Sequence, residues 1–162
     1  MKKLILTLSI LLITIISYSQ HQTISVNGIE LDKKYTQSQI YNILGTPKSI
    51  EPNASEPWIS WYDYNNSSFA FSNEDWELLD CTIKDTTYKV NNYLTVGMHS
   101  DSINAMKGYL KYGEIYGDKF NMYWAPSKEY RDNVAYIQIR INKQTKIIKA
   151  IWLLTVKIHD YY

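Results

Sequence analysis

The sequence predicts an α+β fold: two helix-plus-antiparallel-sheet units in tandem, forming one curved sheet with the helices on one face. Three observations predict it. Leu31–Gly45, LDKKYTQSQIYNILG, aligns without a gap on Leu94–Gly108, LTVGMHSDSINAMKG, at an offset of 63 residues, so that Ile40 meets Ile103, Ile43 meets Met106 and Gly45 meets Gly108. The same offset carries Trp61 onto Trp124. Each aligned segment is followed by short aromatic-rich runs separated by turn residues, the pattern of a strand meander. A repeat of this period predicts one supersecondary unit used twice, each half covering apolar surface that the other leaves open.

The chain opens on a processing segment. Met1-Lys2-Lys3 is a short positive region, Leu4–Ile16 is almost wholly apolar, and Ser17-Tyr18-Ser19 places small residues before Gln20. This is a secretory signal peptide pattern. A membrane helix needs about 20 apolar residues, and this run has 13. The only Cys, Cys81, lies far from the leader, so the sequence offers no lipoprotein anchor. The organisation expected is 1–19 signal peptide, 20–89 first unit and 90–162 second unit, in a secreted or periplasmic protein with no membrane anchor after signal removal.

Composition narrows the class further. The full chain carries a formal charge of +1, and without Lys2 and Lys3 it carries −1. A near-neutral chain has no electrostatic footprint for nucleic acid or anionic lipid. One Cys cannot form an internal disulfide, so stability rests on packing. The 15 Tyr, 5 Trp and 3 Phe supply large buried area per residue for it.

The elements follow in order. Gln20–Val26 is polar and reads as a loose tail. Thr36 is a helix N-cap, and Gln39 three residues on completes a capping box. Ile40, Ile43 and Leu44 line one helix face, and Gly45-Thr46-Pro47 ends it. Glu51–Pro57 is a loop. Trp58–Tyr64, Ser67–Ser72 and Trp76–Ile83 are strands, with turns at Asn65-Asn66 and Asn73–Asp75. In the second half Ser100 or Asp101 caps a helix carrying Ile103, Met106 and Leu110, within which Gly108 either continues or ends the helix. Glu114–Trp124 is a strand interrupted near Gly117-Asp118, and Ala125–Asn133 a polar loop. Val134–Asn142 and Thr145–Lys157 are strands joined by a turn at Lys143-Gln144.

Strand parity assigns faces. One face collects Ile59, Trp61, Leu79, Cys81, Ile83, Met122, Trp124, Ala135, Ile137, Ile139, Ile141, Ile148, Ala150, Trp152 and Leu154. It is almost wholly apolar and is the expected core. The other collects Trp58, Tyr62, Tyr64, Trp76, Tyr123, Tyr136, Gln138, Arg140 and Lys149. A slip of one residue exchanges the two.

YTQSQIYNILGTP followed by WYDY resembles the repeating unit of the β-lactamase-inhibitor-protein-like superfamily, which includes the small lipoprotein of the outer-membrane barrel-assembly machine. That unit opens on a "G-M-T-x-x-x-V-x-x-x-L-G-x-P" stretch and continues into a "W-x-Y" strand. Val96-Gly97-Met98-His99 matches its opening in the second half, and Ile43-Leu44-Gly45-Thr46-Pro47 its close in the first. The resemblance implies a tandem unit that binds protein, as an inhibitor or an envelope assembly factor.

No catalytic motif is present. His21, His99 and His159 lack a second ligand at a metal spacing, and His99 reads as a capping or loop residue. No G-x-S-x-G occurs. Cys81 sits on apolar parity as a small hydrophobe. Glu74, Asp75, Glu77 and Asp80 alternate faces around one turn and read as a solvated turn rather than a catalytic pair. No cofactor or metal is expected.

The function read from these observations is non-catalytic protein binding. The partner-binding residues are Trp58, Tyr62, Tyr64, Trp76, Tyr123, Tyr136 and Arg140, because Trp, Tyr and Arg dominate binding hot spots. The bland alternative is that the rings are cross-strand pairs stabilising the sheet. The alternative functions are an extracellular glycan or small-ligand binder, since exposed Trp and Tyr stack on sugar rings, and a small envelope hydrolase.

Overall fold

The computed structural model describes residues 24–31, 33–109, 112–116, 119–124 and 133–157, with the backbone alone for 106–109, 112–116, 119–124, 133–136 and 156–157. The leader, Ala125–Asp132 of the expected loop and the C-terminal HDYY lie outside these residues.

The chain starts on a small ribbon. Strands β1 (Ser25–Val26) and β2 (Ile29–Glu30) pair antiparallel, joined at Asn27 (φ 50°) and Gly28 (φ 87°). Two successive positive φ values make the tight hairpin that an Asn-Gly pair favours. Ile24, Val26 and Ile29 are fully buried, so Ile24 and Val26 are core and not part of the tail expected over Gln20–Val26. Asn27 ties the ribbon to the later chain: its N–H donates to the Lys89 carbonyl at 2.9 Å, and its Oδ1 accepts from the Lys89 N–H at 2.8 Å.

Helix α1 (Gln37–Leu44) forms where the capping box lies. Thr36 Oγ1 accepts from the Gln39 N–H at 3.3 Å, and Gln39 Oε1 accepts from the Thr36 N–H at 2.8 Å. Ile40 and Leu44 are buried, while Ile43 is 38% exposed, so the buried stripe is narrower than expected.

Strands β3 (Ser49–Pro52), β4 (Ile59–Tyr64), β5 (Ser67–Ser72), β6 (Leu78–Ile83), β7 (Tyr112–Tyr116), β8 (Lys119–Trp124), β9 (Asn133–Ile141) and β10 (Ile148–Lys157) build one sheet. Its order is β3-β4-β5-β6-β10-β9-β8-β7, every neighbouring pair antiparallel. Strand β3 occupies part of the expected Glu51–Pro57 loop. It is an edge strand with every residue exposed, the place in a sheet where Pro52 is tolerated.

The fold is mostly β, and the expectation of tandem helix-plus-sheet repeats is corrected. Among the described residues there is one α-helix, of 8 residues. The segment aligned with it, Ser100–Tyr109, winds as a 3₁₀ helix. The sequence reason is local. Three residues after Ser100 stands Ile103, which cannot close a capping box. Asp101, Ser102, Asn104 and Gly108 are weak helix formers whose side chains or backbone compete with the helical ladder.

The core lies on one face of the sheet, under the ribbon, α1, the Tyr88–Leu94 segment and Ile103 of the 3₁₀ helix. Tyr62, Phe69, Cys81, Leu153 and Ile137 are successive cross-strand partners, and all are buried on this side. A second aromatic knot closes the helix end. Trp76 holds a positive φ of 53°, a costly conformation for a bulky residue. Its ring packs edge-on against Tyr41 at 6.0 Å and tilted against Tyr62 at 5.2 Å and Phe71 at 6.2 Å. These contacts and the Trp76 N–H donating to the Ser72 carbonyl at 3.1 Å offset the backbone strain.

Candidate functional site

The opposite face of the sheet is built one residue out of phase with the core row. Trp61, Ala70, Asp80 and Leu154 are successive partners across β4, β5, β6 and β10. The register continues through the backbone of Tyr136 to that of Tyr123. Among the described residues, the elements outside the sheet pack into the core on the other side. This outer face therefore presents its side chains outward.

Its central feature is a concavity of about 190 Å³ lined by Trp58, Ile59, Trp61, Leu79, Asp80 and Leu154, with Asn53 and Glu56 at the β3–β4 loop. Trp58 is 46% and Leu154 43% exposed, high values for large apolar side chains. Asp80 sits among these groups. Burial raises its carboxyl from 3.8 to about 7, against a lowering hydrogen bond from the Cys81 backbone. A neutral or half-ionised acid beside two indoles is a site with both apolar and hydrogen-bonding character.

A second hollow adjoins along β10. Lys84, Arg140, Lys143 and Lys149 line a groove of about 750 Å³ with Ile141, Asn142, Ala150 and Trp152. Ala150, Trp152 and Leu154 alternate along one strand and so share the outer face.

The residues expected to form the partner-binding face divide. Trp58 and Arg140 are exposed on the outer side. Tyr62 and Tyr64 are 5% and 4% exposed and belong to the core. Trp76 is half-buried and packs against it. Tyr123 and Tyr136 pair across β8 and β9, and their side chains lie outside the described ones. The parity assigned to β4 was one residue out of phase, because Trp58-Ile59-Ser60-Trp61-Tyr62-Asp63-Tyr64 is aromatic on both parities and cannot report which side is buried. In β10 Ile151 and Leu153 are core and Trp152 and Leu154 are not. A register shift between Ile148 and Ala150 inverts the alternation there. A second shift between Ala70 and Phe71 puts Leu78 rather than Leu79 in the core.

Other expected features are local. His99 Nδ1 lies 3.1 Å from Asp101 Oδ2 and accepts from the Asp101 N–H, a helix-start arrangement. Asp75 pairs with Lys34 at 2.7 Å on the surface, well apart in role from Asp80. Cys81 is fully buried, and burial pushes its thiol up beyond the ordinary range. No group of three His, Cys, Asp or Glu suited to a metal occurs among the described residues. Trp61, Trp152 and Leu154, expected in the core, and Asp80, expected in a solvated turn, stand on the outer face. The signal that could have found Asp80 was its acidic charge between Leu78-Leu79 and Cys81 within a strand.

No family model and no curated protein matches the sequence. Among solved structures, the chain is similar to an extracellular protein containing a SCP domain from Bacillus anthracis str. Ames, at 13% identity and a TM-score of 0.46, over 78% of this chain and 46% of that one. It is also similar to a cysteine-rich secretory protein from Staphylococcus aureus subsp. aureus Mu50, at 14% identity and a TM-score of 0.45, over 75% of this chain and 44% of that one. The chain thus spans less than half the length of either. The resemblance read from YTQSQIYNILGTP is overturned by the fold: among the described residues a single α-helix of 8 residues accompanies an antiparallel sheet, and the segment that should supply the second unit's helix is 3₁₀.

Proposed function

We propose that this chain is a secreted or periplasmic, non-catalytic module that binds another protein across the outer face of its sheet. The observation that carries the reading is the exposure of Trp58 and Leu154 around a concavity on the side of the sheet away from the core. Large apolar side chains gathered on one face, rimmed by polar groups, mark interaction sites. Aromatic anchors in pockets are the usual source of binding energy. The leader pattern supports export, and among the described residues no helix is long and apolar enough to cross a membrane.

The test is capture of partners from envelope and secreted fractions by the wild-type protein and by Trp58→Ala/Leu154→Ser. Both positions are exposed, so the variant keeps its fold, checked by melting. A protein retained by the wild type and lost by the folded variant supports the reading. Equal capture by both sinks it. One observation favours a second reading: Trp58, Trp61 and Asp80 surround a hollow small enough for a single sugar ring. Quenching of Trp fluorescence by oligosaccharide, abolished in Asp80→Ala, would select glycan binding instead.

A further inference from the structure

The chain is nearly neutral, with 17 basic and 16 acidic residues, yet its charges are not evenly spread. Lys84, Arg140, Lys143 and Lys149 converge on the groove beside Trp152, and no described Asp or Glu lines it. The acid next in sequence, Asp85, is already engaged: its Oδ2 accepts from Ser67 Oγ at 2.8 Å and its Oδ1 from the Thr87 N–H at 2.9 Å. Lys84, Lys143 and Lys149, three exposed cations around one hollow, repel one another and favour an anion between them.

The groove and the concavity both lie along β10. Trp152 lines the first and Leu154 the second. Alternate residues on a strand are about 7 Å apart, so one extended ligand of a few residues reaches both. A polyphosphate would satisfy the cations and leave the apolar hollow unfilled. A polypeptide satisfies both.

We infer that the groove takes the acidic stretch of a partner polypeptide whose neighbouring apolar side chain fills the Trp58–Leu154 concavity. This rests on the protein-binding reading and specifies the partner's chemistry. The lysines give attraction and orientation, and the indoles give the anchor.

The test is selection of a random-sequence displayed peptide library on the full chain, followed by anisotropy titration of the enriched peptides. Expected are peptides with clustered Asp or Glu next to an aromatic or aliphatic residue. Their affinity should fall at least tenfold in Lys84→Glu/Lys143→Glu/Lys149→Glu, whose positions are exposed, and should weaken as salt is raised. Trp58→Ala should abolish the preference for the apolar residue alone. Enriched peptides without acidic residues, or affinity unchanged by the charge reversals, would overturn this inference and leave protein binding standing. Failure of any peptide to enrich would overturn both. Inorganic polyphosphate binding the wild type more tightly than the peptides, and losing affinity in the triple variant, would make the groove a polyanion site and overturn the inference alone.

Discussion

The Tyr62 and Trp76 rings meet at 5.2 Å on the covered side of the sheet. Trp58, four residues before Tyr62, projects from the other side, 46% exposed. Aromatic residues that look alike in sequence therefore serve different purposes. Tyr62→Ala should cost about 3–5 kcal/mol, as for other large-to-small aromatic changes in a core. Trp58→Ala should cost less than about 1 kcal/mol, as most exposed substitutions do. Urea unfolding of the two variants checks the assignment, and a larger loss for Trp58→Ala would reverse the faces.

Tyr64 is 4% exposed, and its hydroxyl has no hydrogen-bond partner among the described residues. Burial, with smaller contributions from Tyr41, Tyr88 and Tyr62, pushes its phenol well above the ordinary 10. A buried unsatisfied hydroxyl costs about 1–3 kcal/mol. Tyr64→Phe keeps the ring contacts with Phe69 and Tyr88 and removes that cost. The variant should be as stable as the wild type or more stable by about 1 kcal/mol. A clear loss would show that the hydroxyl is satisfied in solution.

Asp80 couples the outer face to pH. Its folded value of about 7 lies above the ordinary 3.8, so between these values the folded state holds more protons than the unfolded one. Stability from this group then falls as pH rises from about 4 to about 7 and stays low above it. Asp80→Asn cannot ionise. It should flatten that part of the stability curve and be more stable than the wild type at about pH 8. Melting temperatures of both proteins across this range decide it, and parallel curves would mean that Asp80 ionises normally.

The capping box at Thr36 and Gln39 is the main sequence-local support of a helix of only 8 residues, too short to be stable alone. Thr36→Ala should lower stability by about 1 kcal/mol. Because Ile40 and Leu44 dock this helix on the core, the loss should appear as earlier cooperative unfolding, read by circular dichroism and Trp fluorescence at one midpoint. Separate midpoints would show that α1 melts independently.

By itself the sequence determined the local elements. The Thr36–Gln39 cap, the strands near 59–64, 67–72, 78–83, 133–141 and 148–157 and the turn at Asn65 all follow from side-chain chemistry within a few residues. The Asn27-Gly28 hairpin is equally legible, because an Asn-Gly pair between apolar residues is a strong hairpin signal. Only the tertiary structure decided which side of each strand is buried. Both parities of β4 carry aromatics, and the register shifts at Ala70/Phe71 and Ile148/Ala150 invert the alternation partway along the sheet. It also decided that Ser100–Tyr109 is 3₁₀ and that Asp80 lies among Trp58, Trp61 and Leu154. A strand's own residues set that it is a strand; its face is set by the partner it pairs with and by what packs across the sheet, contacts that come from residues distant in the chain.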